Sequence, residues 1–229
     1  MHRRIVLIAF AVAGSVFAQQ PPAGQRPARL VRPPLFFKEE WQQVQGGGEH
    51  PITLAATSNR DLELKLYGPS SKDIQLTGTA GNENDPIHLW TGLCASNCAM
   101  ALRDKNNYVD LTGLARIRWV TKVSGFHQVR PIVKLADGTW LVGDHTDGST
   151  ADWIENEFSL ADVRWLKLDP EKVVTKGNFV DKPDLSKVDE VGFADLMPGS
   201  GHGPGGWSDV ARIEVYGKPV KRDGGGQSQ

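Results

Sequence analysis

Ile117-Arg118-Trp119-Val120-Thr121-Lys122-Val123 alternates its side chains with a period of two. Ile117, Trp119 and Val123 fall on one side of an extended chain, and Arg118 and Lys122 fall on the other. That is the pattern of a half-buried strand. The same alternation recurs outward from it, at Leu62–Leu66, Val129–Leu135, Thr139–Gly143, Trp153–Phe158, Val163–Leu168, Glu190–Ala194 and Ala211–Tyr216. Tyr67-Gly68-Pro69, Ala136-Asp137-Gly138 and Asp147-Gly148 supply turn chemistry between these runs. Ile132–Val142 reads as a hairpin turning at Asp137-Gly138. Pro131, inside a strand pattern, predicts an edge position or a bulge. No window of about 12 residues carries a helical stripe. The fold class expected is all-β, a two-sheet antiparallel β-sandwich.

The ends read differently from the middle. Arg3 and Arg4, the apolar run Ile5–Phe17 and the small residues at Val16-Phe17-Ala18 form a secretory leader over 1–18, cleaved near Ala18. The expected location is therefore secreted or periplasmic. Residues 19–34 are a Pro/Arg-rich linker, 35–221 the sandwich, and 222–229 a flexible Gly-rich tail. With 26 Lys+Arg against 27 Asp+Glu in 229 residues, there is no basic excess of the kind nucleic-acid binding needs. No apolar run is long enough for a membrane span of the mature chain.

Two segments echo each other. Asp110-Leu111-Thr112-x-Leu114-x-x-Ile117-x-Trp119 matches Asp184-Leu185-Ser186-x-Val188-x-x-Val191-x-Phe193. In each, Asp and a hydroxyl residue suit a tight turn, and the following aliphatic and aromatic residues point inward along a strand. They read as equivalent strand starts in the two sheets. The second copy, followed by Trp207-Ser208-Asp209-Val210-Ala211-Arg212-Ile213-Glu214-Val215-Tyr216-Gly217, resembles the closing half of a galactose-binding-like jelly roll. Trp153–Phe158 and Ser159–Val163 are similar to the strand and turn that precede that half. Carbohydrate-binding modules and the domain of a mitochondrial complex I assembly factor share that architecture. The resemblance covers Val109–Gly217 and implies a jelly roll of the carbohydrate-binding type, with a structural calcium near the chain ends in many members. Glu39, Glu40 and Asp209 are the candidate ligands by position. The opening Leu35–Trp41 also resembles a family of secreted bacterial proteins loosely labelled glycoside hydrolases.

Catalytic signatures are missing from the sequence. Gly199-Ser200-Gly201 lacks nucleophile-elbow spacing, and neither a zinc-protease motif nor a phosphate loop is present. Cys94 and Cys98 are expected to pair as a local disulfide in an exported chain; free thiols and a zinc site are the alternatives. Glu155 and Glu157 share one strand face about 6–7 Å apart, a spacing glycosidases tolerate, with Asp144 as a further carboxylate. The competing reading is a solvated strand face.

Seven Trp residues stand out, since indole faces stack on the C–H faces of sugars while polar side chains bind the hydroxyls. Trp140 and Trp207, beside Gly/Asp-rich turns, are expected to be partly exposed. Arg118, Lys122, Gln128, Arg130 and Lys134 are expected to line one polar sheet surface. His202 and Trp207 flank a Gly-rich loop, Pro198–Gly206, that suits a rim. The function expected is a non-catalytic carbohydrate-binding module for a poly- or oligosaccharide, with no cofactor required and calcium as a structural option. The alternatives are a glycoside hydrolase using Glu155, Glu157 or Asp144, and an envelope protein whose sheet face meets protein.

Overall fold

In the computed structural model, residues 31–45 and 48–222 are described. The expected leader, the linker up to residue 30 and the tail after Arg222 lie outside them.

The strands, in chain order, are β1 (Leu35–Glu40), β2 (His50–Pro51), β3 (Leu62–Tyr67), β4 (Gln75–Thr77), β5 (His88–Trp90), β6 (Cys98–Asp104), β7 (Asn107–Asp110) and β8 (Arg116–Val123), then β9 (Val129–Leu135), β10 (Trp140–Gly143), β11 (Ile154–Ser159), β12 (Trp165–Asp169), β13 (Val174–Val180), β14 (Val188–Asp195), β15 (Ser208–Tyr216) and β16 (Lys218–Lys221). One sheet has the order β11-β8-β15-β5-β4-β2, with β1 also beside β15. The other has the order β13-β12-β10-β9-β14-β6-β3, with β7 joining β14 to β16. All pairings between these strands are antiparallel. The chain is a two-sheet antiparallel β-sandwich, the architecture its alternation predicts.

The core lies between the sheets, and the period-two reading locates it. β8 buries Ile117, Trp119, Thr121 and Val123 and leaves Arg116, Arg118, Val120 and Lys122 half-exposed. Opposite it, Leu62, Met100, Val133, Leu141, Trp165 and Phe193 come in from the second sheet. The echoed turns are built as the pattern implies. Asp110 Oδ1 accepts the Thr112 N–H at 2.9 Å, and Asp184 Oδ1 accepts the Ser186 N–H at 2.9 Å. The two copies also meet, through Leu111 N–H to Leu185 O at 2.9 Å, before feeding β8 and β14 into opposite sheets.

Two expectations change. Pro131 is on neither an edge nor a bulge: β9 lies between β10 and β14, and Pro131 faces Phe193. It is tolerated because pairing to β10 ends at Ile132–Val142, and Gly143 leaves room for the pyrrolidine ring. Trp140 is buried rather than exposed. The outer face of the second sheet carries its own apolar cluster of Ala99, Ala101, Ile132, Trp140, Val142 and Ala194, packed with Leu168 and Val173. The turn between β12 and β13 is tied down over this face through Gly68 N–H to Pro170 O at 3.1 Å and Asn97 Nδ2 to Val173 O at 2.8 Å. Gly68 has φ +93°, and a Cβ there would lie 2.6 Å from both Asn97 O and the Val173 side chain, so glycine is required twice over.

Cys94 and Cys98 form the expected disulfide. Among the described residues, no helix is long and apolar enough to cross a membrane.

Candidate functional site

β15 organises the outer face of the first sheet. β8 pairs with it from Ser208 to Tyr216; on its other side β5 pairs at Asp209 and Val210, and β1 takes over from Arg212. The changeover falls at Ala211, where the register slips, and Trp41 Nε1 donates to Val210 O at 2.8 Å beside it. Register then dictates who shares the outer face. Asp209 is opposite both Lys122 and Trp90; His88 and Trp207 lie two residues from Trp90 and Asp209 on their strands. Trp153, just ahead of β11, extends the same row.

The result is an aromatic cluster at one end of this sheet. The rings of His88 and Trp153 meet edge-on at 5.0 Å, and Trp90 and Trp207 meet edge-on at 6.5 Å. Trp153 and Trp207 are half-buried, and their indole N–H groups donate to Asn84 O at 3.3 Å and to Asp209 Oδ2 at 3.1 Å. Beside the cluster, across the loop that contains Asn84 and Pro86, lies a groove of about 610 Å³ lined by Trp41, Gln42, Glu83, Ile87, Val120 and Arg212. That volume is in the range of small-ligand sites.

Polar chemistry sits underneath. His88 Nδ1 is 2.7 Å from Pro86 O, which places a proton on Nδ1 and leaves Nε2 as a lone pair. Nε2 faces Asp209 Oδ1 at 3.5 Å, and that oxygen is buried with no hydrogen bond. Burial pushes the Asp209 carboxyl up to about 7, against the Trp207 N–H and the charge of Lys122, while Asp85 adds to the rise. Burial likewise holds the His88 imidazole below its ordinary value.

A pH dependence of stability follows. The folded state keeps a proton on Asp209 that the unfolded chain releases near its ordinary value of 3.8, so this residue's favourable share is complete below that value and is lost as pH rises through about 7. Asp209→Asn cannot ionise and still accepts from Trp207, so its stability relative to the native chain should rise by about 2–3 kcal/mol between about pH 5 and about pH 8. Urea unfolding of both proteins at the two pH values measures this. An unchanged difference would mean Asp209 titrates normally.

The sequence-derived candidates scatter. The single polar surface expected of Arg118, Lys122, Gln128, Arg130 and Lys134 does not exist: β8 belongs to the first sheet and β9 to the second, so Arg118 and Lys122 face away from Arg130 and Lys134. Arg118 bonds Glu157 at 2.8 Å, and Gln128 is an exposed residue ahead of β9. Arg130 donates to Gly143 O at 2.9 Å. Lys134 reaches Glu190 at 2.9 Å, where Tyr67 Oη also donates at 2.6 Å, and it lies 5.9 Å from the Trp140 ring. Trp207 alone of the expected binding residues joins the aromatic cluster, and the sequence did not single out His88, Trp90 or Asp209 as its companions. The signal was His88-Leu89-Trp90, a three-residue alternation bounded by Pro86 and Gly92.

The carboxylate candidates are engaged. Glu155 pairs with Arg212, and Glu157 takes Arg116 at 3.1 Å as well as Arg118. The hydrogen bond from Arg118, helped by that from Arg116, holds Glu157 below the usual carboxylate range against the opposing effect of burial. Asp144 binds Arg164 at 2.7 Å. Glu39 is buried and accepts the Ser58 and Asn59 N–H groups at 2.6 and 3.1 Å; Glu40 pairs with Lys38 at 2.7 Å. Among the described residues, no three His, Cys, Asp or Glu side chains gather as a metal-binding group.

No protein-family model matches the chain, and no curated protein matches its sequence. Among solved structures it is similar to the family 11 carbohydrate-binding module of Clostridium thermocellum, in complex with a β-1,3-1,4-mixed-linked tetrasaccharide, at 13% identity and a TM-score of 0.43 over 77% of this chain and 99% of that one. It is also similar to the family 61 module TmCBM61, in complex with β-1,4-galactotriose, at 10% identity and a TM-score of 0.37 over 68% of this chain and 88% of that one. A third likeness is to the carbohydrate recognition domain of Emp47p, at 8% identity and a TM-score of 0.36 over 78% and 97%. The chain's own fold is the two-sheet antiparallel β-sandwich expected from its sequence.

Proposed function

We propose that the chain is an exported carbohydrate-binding protein that holds a poly- or oligosaccharide on the outer face of the first sheet and does not cleave it. The observation that carries this is the gathering of Trp90, Trp153 and Trp207 at one end of that face, with the groove alongside. Indole faces stack on the C–H faces of pyranose rings, and Gln42, Glu83 and Arg212 in the groove supply partners for hydroxyls. Binding without hydrolysis is supported by the state of Glu155 and Glu157. A glycosidase needs one carboxyl kept protonated, whereas Arg118 and Arg116 hold Glu157 in its charged form. Export rests on the leader of residues 1–18.

The test is depletion of the protein from solution by cellulose, xylan, mixed-linkage β-glucan, galactan and agarose, with reducing ends counted in the same tubes. Depletion without new reducing ends is the expected result. New ends would make the chain a hydrolase. Glu155→Gln and Glu157→Gln should each leave depletion within about twofold of the native chain, because exposed ion pairs contribute little. Loss of activity in either variant would assign the carboxylates a catalytic role.

A further inference from the structure

Trp90 is the most hidden of the three clustered tryptophans, 3% exposed although it projects from the outer side of its sheet. One part of its indole lies against the backbone at Gly92, where a Cβ would come within 2.1 Å of the ring. The imidazole of His202 stacks on the indole at 4.6 Å with an interplanar angle of 19°. His202 itself is 78% exposed, and its Nε2 lies 3.9 Å from Glu49 Oε2. A solvated ring thus covers a ring that would otherwise continue the surface of Trp207, 6.0 Å from His202.

The segment that carries His202 is held by hydrogen bonds at its base and across its turn. Gly199 N–H donates to Cys94 O at 2.7 Å and Gly201 N–H to Gly92 O at 2.8 Å, which pins the base to the disulfide loop. Ser200 Oγ accepts the Gly206 N–H at 2.9 Å and donates to Gly203 O at 3.0 Å, closing the far side. His202 follows the pinned base, Gly203 also donates its N–H to Ser200 O at 3.0 Å, and the flanking Gly201 and Gly206 both have positive φ. Rotating the imidazole away gives up its stack on Trp90 and its edge contact with Trp207, and among the described residues the side chain makes no hydrogen bond.

We propose that Trp90 is a closed stacking subsite for a pyranose ring, covered by His202, which the ligand displaces by exchanging one flat ring for another. This rests on the carbohydrate-binding reading and extends it from Trp153 and Trp207 to a third platform. A histidine that belonged to the platform would strengthen binding; a histidine that covers it competes with the ligand.

His202→Ala separates the two. In the free protein, acrylamide quenching of tryptophan fluorescence should increase in His202→Ala and fall back in Trp90→Leu/His202→Ala, with circular dichroism confirming that each variant is folded. In affinity gels containing xylan, mixed-linkage β-glucan or galactan, His202→Ala should bind the retarding polysaccharide roughly threefold to tenfold more tightly than the native chain, as expected for release of one aromatic contact. The double variant should lose that gain. Unchanged quenching, or binding that stays equal or weakens in His202→Ala while the native chain is retarded, overturns the covered subsite and leaves the carbohydrate-binding reading intact. No retardation of either protein in any of the gels overturns both.

Discussion

Trp153→Ala/Trp207→Ala should lose glycan retention almost completely, by about 100-fold or more in affinity, while remaining folded. Aromatic anchors at the centre of a binding face commonly cost about 2 kcal/mol or more each when truncated, and two together exceed the free energy of a weak sugar complex. Both rings are half-buried on the outer face, and each makes one hydrogen bond through its indole, to Asn84 O and to Asp209, so their removal leaves the core between the sheets untouched. Trp140→Ala is the informative control. Its ring is packed with Tyr67 at 4.6 Å under the β12–β13 turn, so it should lower stability by about 3–4 kcal/mol and leave the affinity of the folded fraction unchanged. Binding isotherms on the retained polysaccharide, with urea unfolding alongside, check both. Retention surviving in the double variant, or vanishing in Trp140→Ala, would move the site to the second sheet.

Asp147→Ala should cost about 3–5 kcal/mol, enough to unfold a marginal domain. Its backbone bridges to Val129 at the start of β9, in the second sheet, while its side chain reaches the first. There its carboxylate accepts Trp119 Nε1–H, Thr121 Oγ1–H at 3.1 Å, and Asn156 Nδ2–H at 2.9 Å, with His145 Nε2 at 3.4 Å. Removing it strands several buried donors at once. Burial works against the charge, but the neighbouring His145 and the hydrogen bonds from Trp119 and Asn156 outweigh it and hold the carboxyl below its ordinary 3.8. Its stabilising share is therefore present above that value and is lost as pH falls through the lower folded value. Urea unfolding at about pH 7 and at about pH 3 should show the gap between native and variant narrowing in acid. A difference under about 1 kcal/mol at neutral pH would mean that the two sheets are not tied through this residue.

Much of the fold could be read from spacing because strands record their two faces in the sequence. β8 and β14 were legible from the alternation around Trp119 and Phe193, and their equivalent starts from the Asp110 and Asp184 turns. The site was not, for two physical reasons. Alternation says that two side chains lie on the polar side of a strand but not which sheet the strand joins, so Arg118 and Lys134 looked like neighbours although β8 and β9 sit in opposite layers. Alternation also says nothing about what covers an outer face. Trp140 was read as partly exposed, yet Val173 and Leu168 from the β12–β13 segment pack with it. Conversely, Trp90 came from a three-residue strand too short to register, and its partner Asp209, which also faces Lys122, is brought to it by pairing across more than a hundred residues of chain.

The seven indole N–H groups offer the most direct reading of where a glycan sits. In a ¹H–¹⁵N spectrum of the labelled protein, titration with oligosaccharides of the retained polysaccharide should shift the signals of Trp90, Trp153 and Trp207 and leave those of the core residues Trp119 and Trp165 in place. Shifts confined to Trp140, or no shift at any of the three at saturating ligand, would contradict binding on the outer face of the first sheet.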